Sequence, residues 1–248
     1  MSDARRDVKI GCCGFRLSRA EYFLRFPVVE VQQTFYQPPK IETLRAWRVE
    51  APEDFEFTLK AWQLITHAGA SPTYRRMKRE LTEEEREECG AFQPTKIVEE
   101  GWETTRECAE ALRARRILFQ CPARFKPTDA NVSNLRRFFG SIRRDGLIFL
   151  WEPRGEWPRD LIRELCRELD LAHVVDPLVE RTATPERCYF RLHVRRGGRK
   201  RYEDEELSEL YAMLPRGRTS HVLFNNMRMV DDAARFQRLA REQSEDED

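Results

Sequence analysis

The sequence predicts a single α/β barrel of eight parallel βα units, a (β/α)8 or TIM barrel. Three observations point there. Apolar, β-rich runs alternate with helical patterns along nearly the whole chain, as parallel βα units require. At 248 residues the length suits one such barrel. No Gly-rich phosphate loop follows the first run, which disfavours the doubly wound open sheet.

The strand candidates, in order, are Val8–Cys13, Val28–Phe35, Phe55–Ala61, Arg116–Cys121, Leu147–Glu152, Ala172–Asp176, Cys188–His193 and His221–Asn225. After the first, Ser18-Arg-Ala-Glu21 fits a capping box ahead of Tyr22, Phe23 and Phe26. Ile97, Trp102, Thr105, Cys108, Ala109 and Leu112 recur at helical spacing and predict a core-facing stripe before strand four. Thr128 caps the helix carrying Val132, Leu135, Phe138 and Phe139. Leu161–Leu169, Glu205–Leu214 and Asp231–Leu239 complete the helices. The sixth unit is weak: only a short Pro-containing stretch follows Asp176-Pro177, so its helix is expected to be very short or replaced by a loop. Some thirty residues between Ala61 and Pro94 form an insertion after strand three. Long βα connections surround a barrel's site, so this insertion is either functional or a solvated surface helix. One domain, residues 1–241, is expected, with an acidic, disordered tail over 242–248.

Charge excludes more than it suggests. The 44 Lys and Arg nearly balance 43 Asp and Glu, giving a formal +1, so bulk charge predicts neither nucleic-acid nor membrane binding. No run approaches the roughly 18 apolar residues of a membrane span, and the start lacks a signal peptide's apolar core. Seven scattered Cys carry no disulfide pattern. A reduced, cytoplasmic protein without a membrane partner is expected.

Side chains at strand C-termini face a barrel's mouth, where catalysis is built. That filter selects Lys60, Glu152 and His193 as candidate acid–base groups. It selects Tyr36, Trp62, Arg154, Arg191, Asn225 and Asn226 as substrate contacts, and His67 as an insertion residue able to reach over the mouth. Strand alternation puts Glu30, Gln32 and Thr34 on one face, Glu152 with Arg154 on another, and Arg191 with His193 on a third. The alternative for Glu30, Lys60, Glu152 and Arg191 is a buried, self-neutralising ion-pair network. Among the histidines, His173 reads as a core residue and His221 as the start of a strand at the barrel's bottom. Cys12 and Cys13 end strand one and Cys121 ends strand four, an arrangement able to hold zinc or an iron–sulfur cluster, though no Cys-x-x-Cys spacing supports it. No nucleophile elbow, His-Glu-x-x-His helix, Walker loop or dinucleotide fingerprint is present.

Ile10-Gly-Cys-Cys-Gly-Phe15, Val29-Glu-Val-Gln-Gln-Thr-Phe-Tyr36, Phe57-Thr-Leu-Lys-Ala-Trp62, Leu64-Ile-Thr-His67, Leu118-Phe-Gln-Cys-Pro122, Trp151-Glu-Pro-Arg154, Tyr189-Phe-Arg-Leu-His193 and Phe224-Asn-Asn226 resemble, in order, the YecE-like barrels. These form the domain-of-unknown-function 72 family. The resemblance touches every strand but the sixth and implies a TIM barrel related in shape to xylose-isomerase and apurinic-endonuclease barrels, with a tie to nucleic acid. The sequence departs from the family pattern at Gly11-Cys-Cys-Gly14 and at Cys121.

The leading functional expectation is a nucleic-acid-directed hydrolase, a metal-dependent phosphodiesterase acting on single strands. Glu30, Glu152, Asp176 and His193 would hold one or two divalent ions (magnesium, manganese or zinc) and activate water. Lys60, Arg154 and Arg191 would bind phosphate oxygens. Tyr36, Trp62 and Trp157 would stack unpaired bases. Two alternatives stand beside it: a non-catalytic barrel binding a phosphate-bearing small molecule, and a metal or iron–sulfur protein centred on Cys12, Cys13 and Cys121.

Overall fold

A computed structural model describes residues 5–193 and 201–245. Its strands are β1 Asp7–Cys13, β2 Val28–Val31, β3 Glu56–Lys60, β4 Arg116–Gln120, β5 Ile148–Glu152, β6 Leu171–His173, β7 Tyr189–Leu192 and β8 Thr219–Phe224. The helices are α1 Arg19–Arg25, α2 Gln33–Tyr36, α3 Ile41–Glu50, α4 Gln63–Thr66, α5 Glu83–Glu88, α6 Lys96–Leu112, α7 Asp129–Ser141, α8 Arg159–Glu168, α9 Asp204–Met213 and α10 Met229–Glu245. The parallel strands form one sheet in the order β6-β5-β4-β3-β2-β1-β8-β7, and a parallel bridge between Val175 and Phe190 joins the segment after β6 to β7. This is the (β/α)8 barrel. Residues 174–188 contain no helix, so a loop replaces the sixth one.

Local chemistry explains most elements. Ser18 accepts from the Glu21 N–H while the Glu21 carboxylate takes the Ser18 N–H, closing the expected capping box on α1. Thr128 caps α7 through the Asn131 N–H. The stripe on α6 is buried as its spacing required, from Ile97 through Trp102 and Thr105 to Leu112.

Strand two is the clear departure. It ends at Val31, and the chain turns helical over Gln33–Tyr36 although the composition favours a strand. The Thr34 hydroxyl meets both the Val31 carbonyl, at 3.1 Å, and the Lys60 carbonyl, at 2.7 Å, and so fixes the turn against the end of β3. Gln32 and Thr34 therefore do not continue the face of Glu30. At the other end, α10 runs to Glu245, into the stretch expected to be a disordered tail; residues 246–248 lie outside the described residues.

The described residues fall into two compact units. The first comprises those of Met1–Glu30, Ala51–Glu56 and His173–Asp248; the second comprises Val31–Glu50 and Phe57–Ala172. Aromatic rings dominate the second unit's core. Phe92, from the insertion, packs within 5.3–6.1 Å of Phe119, Phe138 and Phe139, measured between ring centroids. Trp102 and Phe149 extend the same cluster. The end of the insertion is thus tied into the core. Among the described residues no helix is long and apolar enough to cross a membrane.

Candidate functional site

In the first unit, polar groups form one connected network. Glu30 and Arg191 are both 0 % exposed. Arg191 donates from Nε at 3.1 Å and from Nη2 at 2.9 Å to Glu30 Oε1, and the Tyr189 hydroxyl donates to Oε2 at 2.8 Å. Cys13, at the end of β1, lies against the same pair, and its thiol pKa is pushed well above the ordinary range by burial and by the Glu30 charge. Two residues beyond Arg191, His193 Nε2 is 3.5 Å from Arg191 Nη1 and its Nδ1 is 3.2 Å from Asn225 Nδ2. The His193 N–H donates to Asp176 Oδ2 at 2.9 Å. Arg191 is a donor only, so Nε2 accepts from it.

Arg191 is thus buried on Glu30, where a substrate phosphate would have to replace a carboxylate partner. Asn226 serves the fold as well: its Nδ2 donates at 2.7 Å to Asp232 Oδ2, and Asp232 also receives Arg235 on α10. His173 is a core residue whose Nδ1 accepts the Ala183 N–H. His221 is buried in β8 with Nε2 3.1 Å from Glu56, which also holds Lys9.

The second unit gathers a different set. Lys60 ends β3 and is buried, with Nζ lying 3.5 Å from the Phe35 ring centroid. His67 meets the same ring edge-on at 4.8 Å. Glu152 ends β5, and its Oε1 takes the Arg154 Nε–H at 2.8 Å. The His67 pKa is depressed to about 3, first by burial and then by the positive charges of Lys60 and Arg154. Cys121 lies within reach of the Glu152 and Lys60 charges, and burial raises its thiol to about 12. The unit therefore brings together Lys60, Glu152 and Arg154 and adds His67, all at or beyond strand C-termini, in a field that is net positive.

The aromatic candidates behave differently from one another. Trp62 and Trp157 are 6 % and 8 % exposed, and Trp157 Nε1 donates to Phe125 O, so neither ring is an open platform for a base. Tyr36 is half-buried, and the exposed Arg76 of the insertion lies 3.6 Å over its ring. A separate groove of about 690 Å³ lies between α3 and α6, where Arg45, Arg48, Arg106 and Arg113 alternate with three glutamates.

Neither expected ligand set forms a metal centre. Among the described residues no group of three or more His, Cys, Asp or Glu side chains is placed to hold a metal ion. Glu30 is held by Arg191 and Tyr189, Asp176 receives backbone N–H groups, and Glu152 is engaged by Arg154. Cys12 points its thiol at Met229 O and Cys121 receives the Trp151 indole N–H. All seven cysteines are buried, and none forms a disulfide. The described residues present no set that fits a divalent ion or an iron–sulfur cluster, and no step below runs through one.

Sequence reasoning missed Phe35 and Tyr189. Tyr189 stands two residues before Arg191, so strand alternation put it on the same face and would have found it. Phe35 had no such signal, because its role depends on the helical turn that ends β2.

A family model described as a protein of unknown function, DUF72, matches residues 16–247. The chain belongs to the DUF72 family. No curated protein matches the sequence. Among solved structures, a DUF72 family protein from Enterococcus faecalis is 20% identical with a TM-score of 0.73, covering 96% of this chain and 99% of the other. A D-psicose 3-epimerase is 12% identical with a TM-score of 0.58, covering 96% and 98%. A family 2 AP endonuclease from Brucella melitensis is 12% identical with a TM-score of 0.50, covering 90% and 93%. These likenesses establish the fold. An epimerase and an endonuclease share it, so the reaction must be argued from side chains.

Proposed function

We propose that this DUF72 protein hydrolyses phosphate esters, with single-stranded nucleic acid as substrate, at the second unit's site of Lys60, Glu152 and Arg154. The observation that carries the reading is that β3 ends in Lys60 and β5 in Glu152, with Arg154 two residues beyond and bonded to Glu152 at 2.8 Å, so that two cations and a carboxylate stand at strand C-termini. A phosphoryl group in transit carries charge on its non-bridging oxygens, and cations already aimed at that charge stabilise it. Arg154 offers a planar fork suited to phosphate, and Lys60 a point charge. Glu152, oriented by Arg154, takes a proton from the attacking water as its oxygen bonds to phosphorus. The P–O ester bond breaks, and Lys60 protonates the departing oxygen. The exposed Arg75 and Arg76, the latter lying over Tyr36, add two cations on the insertion ahead of its glutamate-rich helix α5.

The test is binding of a labelled single-stranded oligonucleotide over a salt series, with product analysis. Binding that weakens as salt rises, with a salt slope smaller by about one in Lys60→Met and in Arg154→Met, supports the reading. Binding without cleavage supports a non-catalytic anion site on the same cations instead. Salt-insensitive or absent binding overturns the nucleic-acid reading.

A further inference from the structure

His67 is gripped at every polar atom but one. Its N–H donates to Gln63 O at 2.9 Å, its carbonyl accepts the Tyr74 hydroxyl at 2.8 Å, and its Nδ1 lies 2.8 Å from Thr66 Oγ1. Phe35 packs against the ring. From behind, Gly90 sits so close that a Cβ there would lie 2.3 Å from the His67 carbonyl carbon. Gly90, Ala91 and Phe92 are three successive left-handed residues, with φ of 82°, 51° and 54°. Such backbone is unfavourable for the two residues that carry a Cβ, and it persists only where the surroundings over-determine it. Here the N–H groups of Gly90 and Phe92 donate to Leu64 O and Ile65 O, clamping the α4 turn that leads into His67.

The proton on the ring can be placed. Thr66 is buried, and among the described residues its hydroxyl makes one hydrogen bond, to His67 Nδ1. Reversing that bond would leave a buried hydroxyl proton without an acceptor, which is unfavourable. The hydroxyl therefore donates to Nδ1, and the ring's own proton sits on Nε2. Among the described residues no acceptor meets that Nε2–H. A rigidly held donor that meets no acceptor among the described residues, sharing the Phe35 ring with the Lys60 ammonium and lying in the field of Arg154, is suited to an oxyanion.

We infer that His67 is a substrate-binding residue of this site, presenting Nε2–H as a neutral donor to a non-bridging oxygen of the bound phosphate; the inference rests on the phosphate reading above. Neutrality matters to the role. A charged imidazole beside Lys60 and Arg154 would repel both, whereas a neutral one adds a directed hydrogen bond without that repulsion.

The test uses the full chain, inorganic phosphate as probe, and ¹⁵N-labelled histidine observed by NMR. In the free protein His67 should show the Nε2-protonated tautomer, and phosphate should shift its Nε2 signal more than Nδ1. His67→Leu should weaken phosphate binding about 10- to 100-fold, the range for a hydrogen bond to a charged group. His67→Gln, which places an N–H near the position of Nε2, should restore most of that loss. A wild type protonated on Nδ1, or a His67→Leu protein that folds and binds phosphate as tightly as wild type, overturns the inference. If the Leu variant fails to fold, the tautomer and the Gln variant still decide. Phosphate binding that is lost in Lys60→Met but unchanged in His67→Leu removes only the role of His67. A wild type that binds no phosphate removes the site reading and the inference together.

Discussion

Replacing Arg191 by Met should destabilise the protein by about 3–5 kcal/mol, the cost of leaving one member of a buried ion pair alone. The structure sets the upper part of that range as the expectation. Glu30 and Arg191 are fully buried, two guanidinium N–H groups bond one carboxylate oxygen, and the Tyr189 hydroxyl bonds the other. Met replaces the stem of Arg191 and removes its charge, so the loss is mainly electrostatic. At about 2–4 °C per kcal/mol for a chain of this size, the melting temperature should fall by roughly 6–20 °C. Reversible denaturant unfolding gives the free energy directly, and calorimetry gives the midpoint. The double variant Glu30→Gln/Arg191→Met should recover most of the loss, because no charge is then stranded. Phosphate affinity at the Lys60 site should be unchanged in a double variant that folds. A loss below about 1 kcal/mol in Arg191→Met, or a double variant as unstable as the single one, would refute the assignment of this pair to the fold.

Acid should expose the buried His67. Its pKa falls from an ordinary 6.5 to about 3 on folding, chiefly by burial, so its contribution is present above about pH 6.5 and is lost as pH falls toward 3. Unfolding free energies of wild type and His67→Gln should accordingly converge by up to about 3 kcal/mol between pH 6.5 and 4, and a constant difference would contradict the burial of a neutral ring. Gly90→Ala should cost at least about 2 kcal/mol in denaturant unfolding, since a Cβ there meets the His67 backbone at 2.3 Å; a change within about 0.5 kcal/mol would show that the left-handed segment is not tight.

The barrel was legible because its signals are periodic and local. Alternating βα runs, the capping box at Ser18–Glu21 and the helical stripe of Ile97–Leu112 all follow from the residue order alone. Strand two was misread past Val31 because Gln32–Phe35 looks β-prone, while its actual turn depends on a hydroxyl contact to Lys60, residues away in sequence. Glu152 with Arg154 and Arg191 with His193 were paired correctly by strand alternation. Which of these pairs is structural could not be read, since burial separates them: Arg191 is inside on Glu30, whereas Arg154 stays partly exposed. The setting of His67 was hidden for a similar reason, since its neighbours Phe35 and Gly90 come from two distant segments.

The proposed site is tested most directly by a crystal structure of the protein with a dinucleotide bound. The phosphodiester should lie at the C-terminal ends of β3 and β5, with non-bridging oxygens in hydrogen-bond range of the Lys60 ammonium and the Arg154 guanidinium. A dinucleotide held instead in the groove between α3 and α6, with Lys60 and Arg154 untouched, would contradict it.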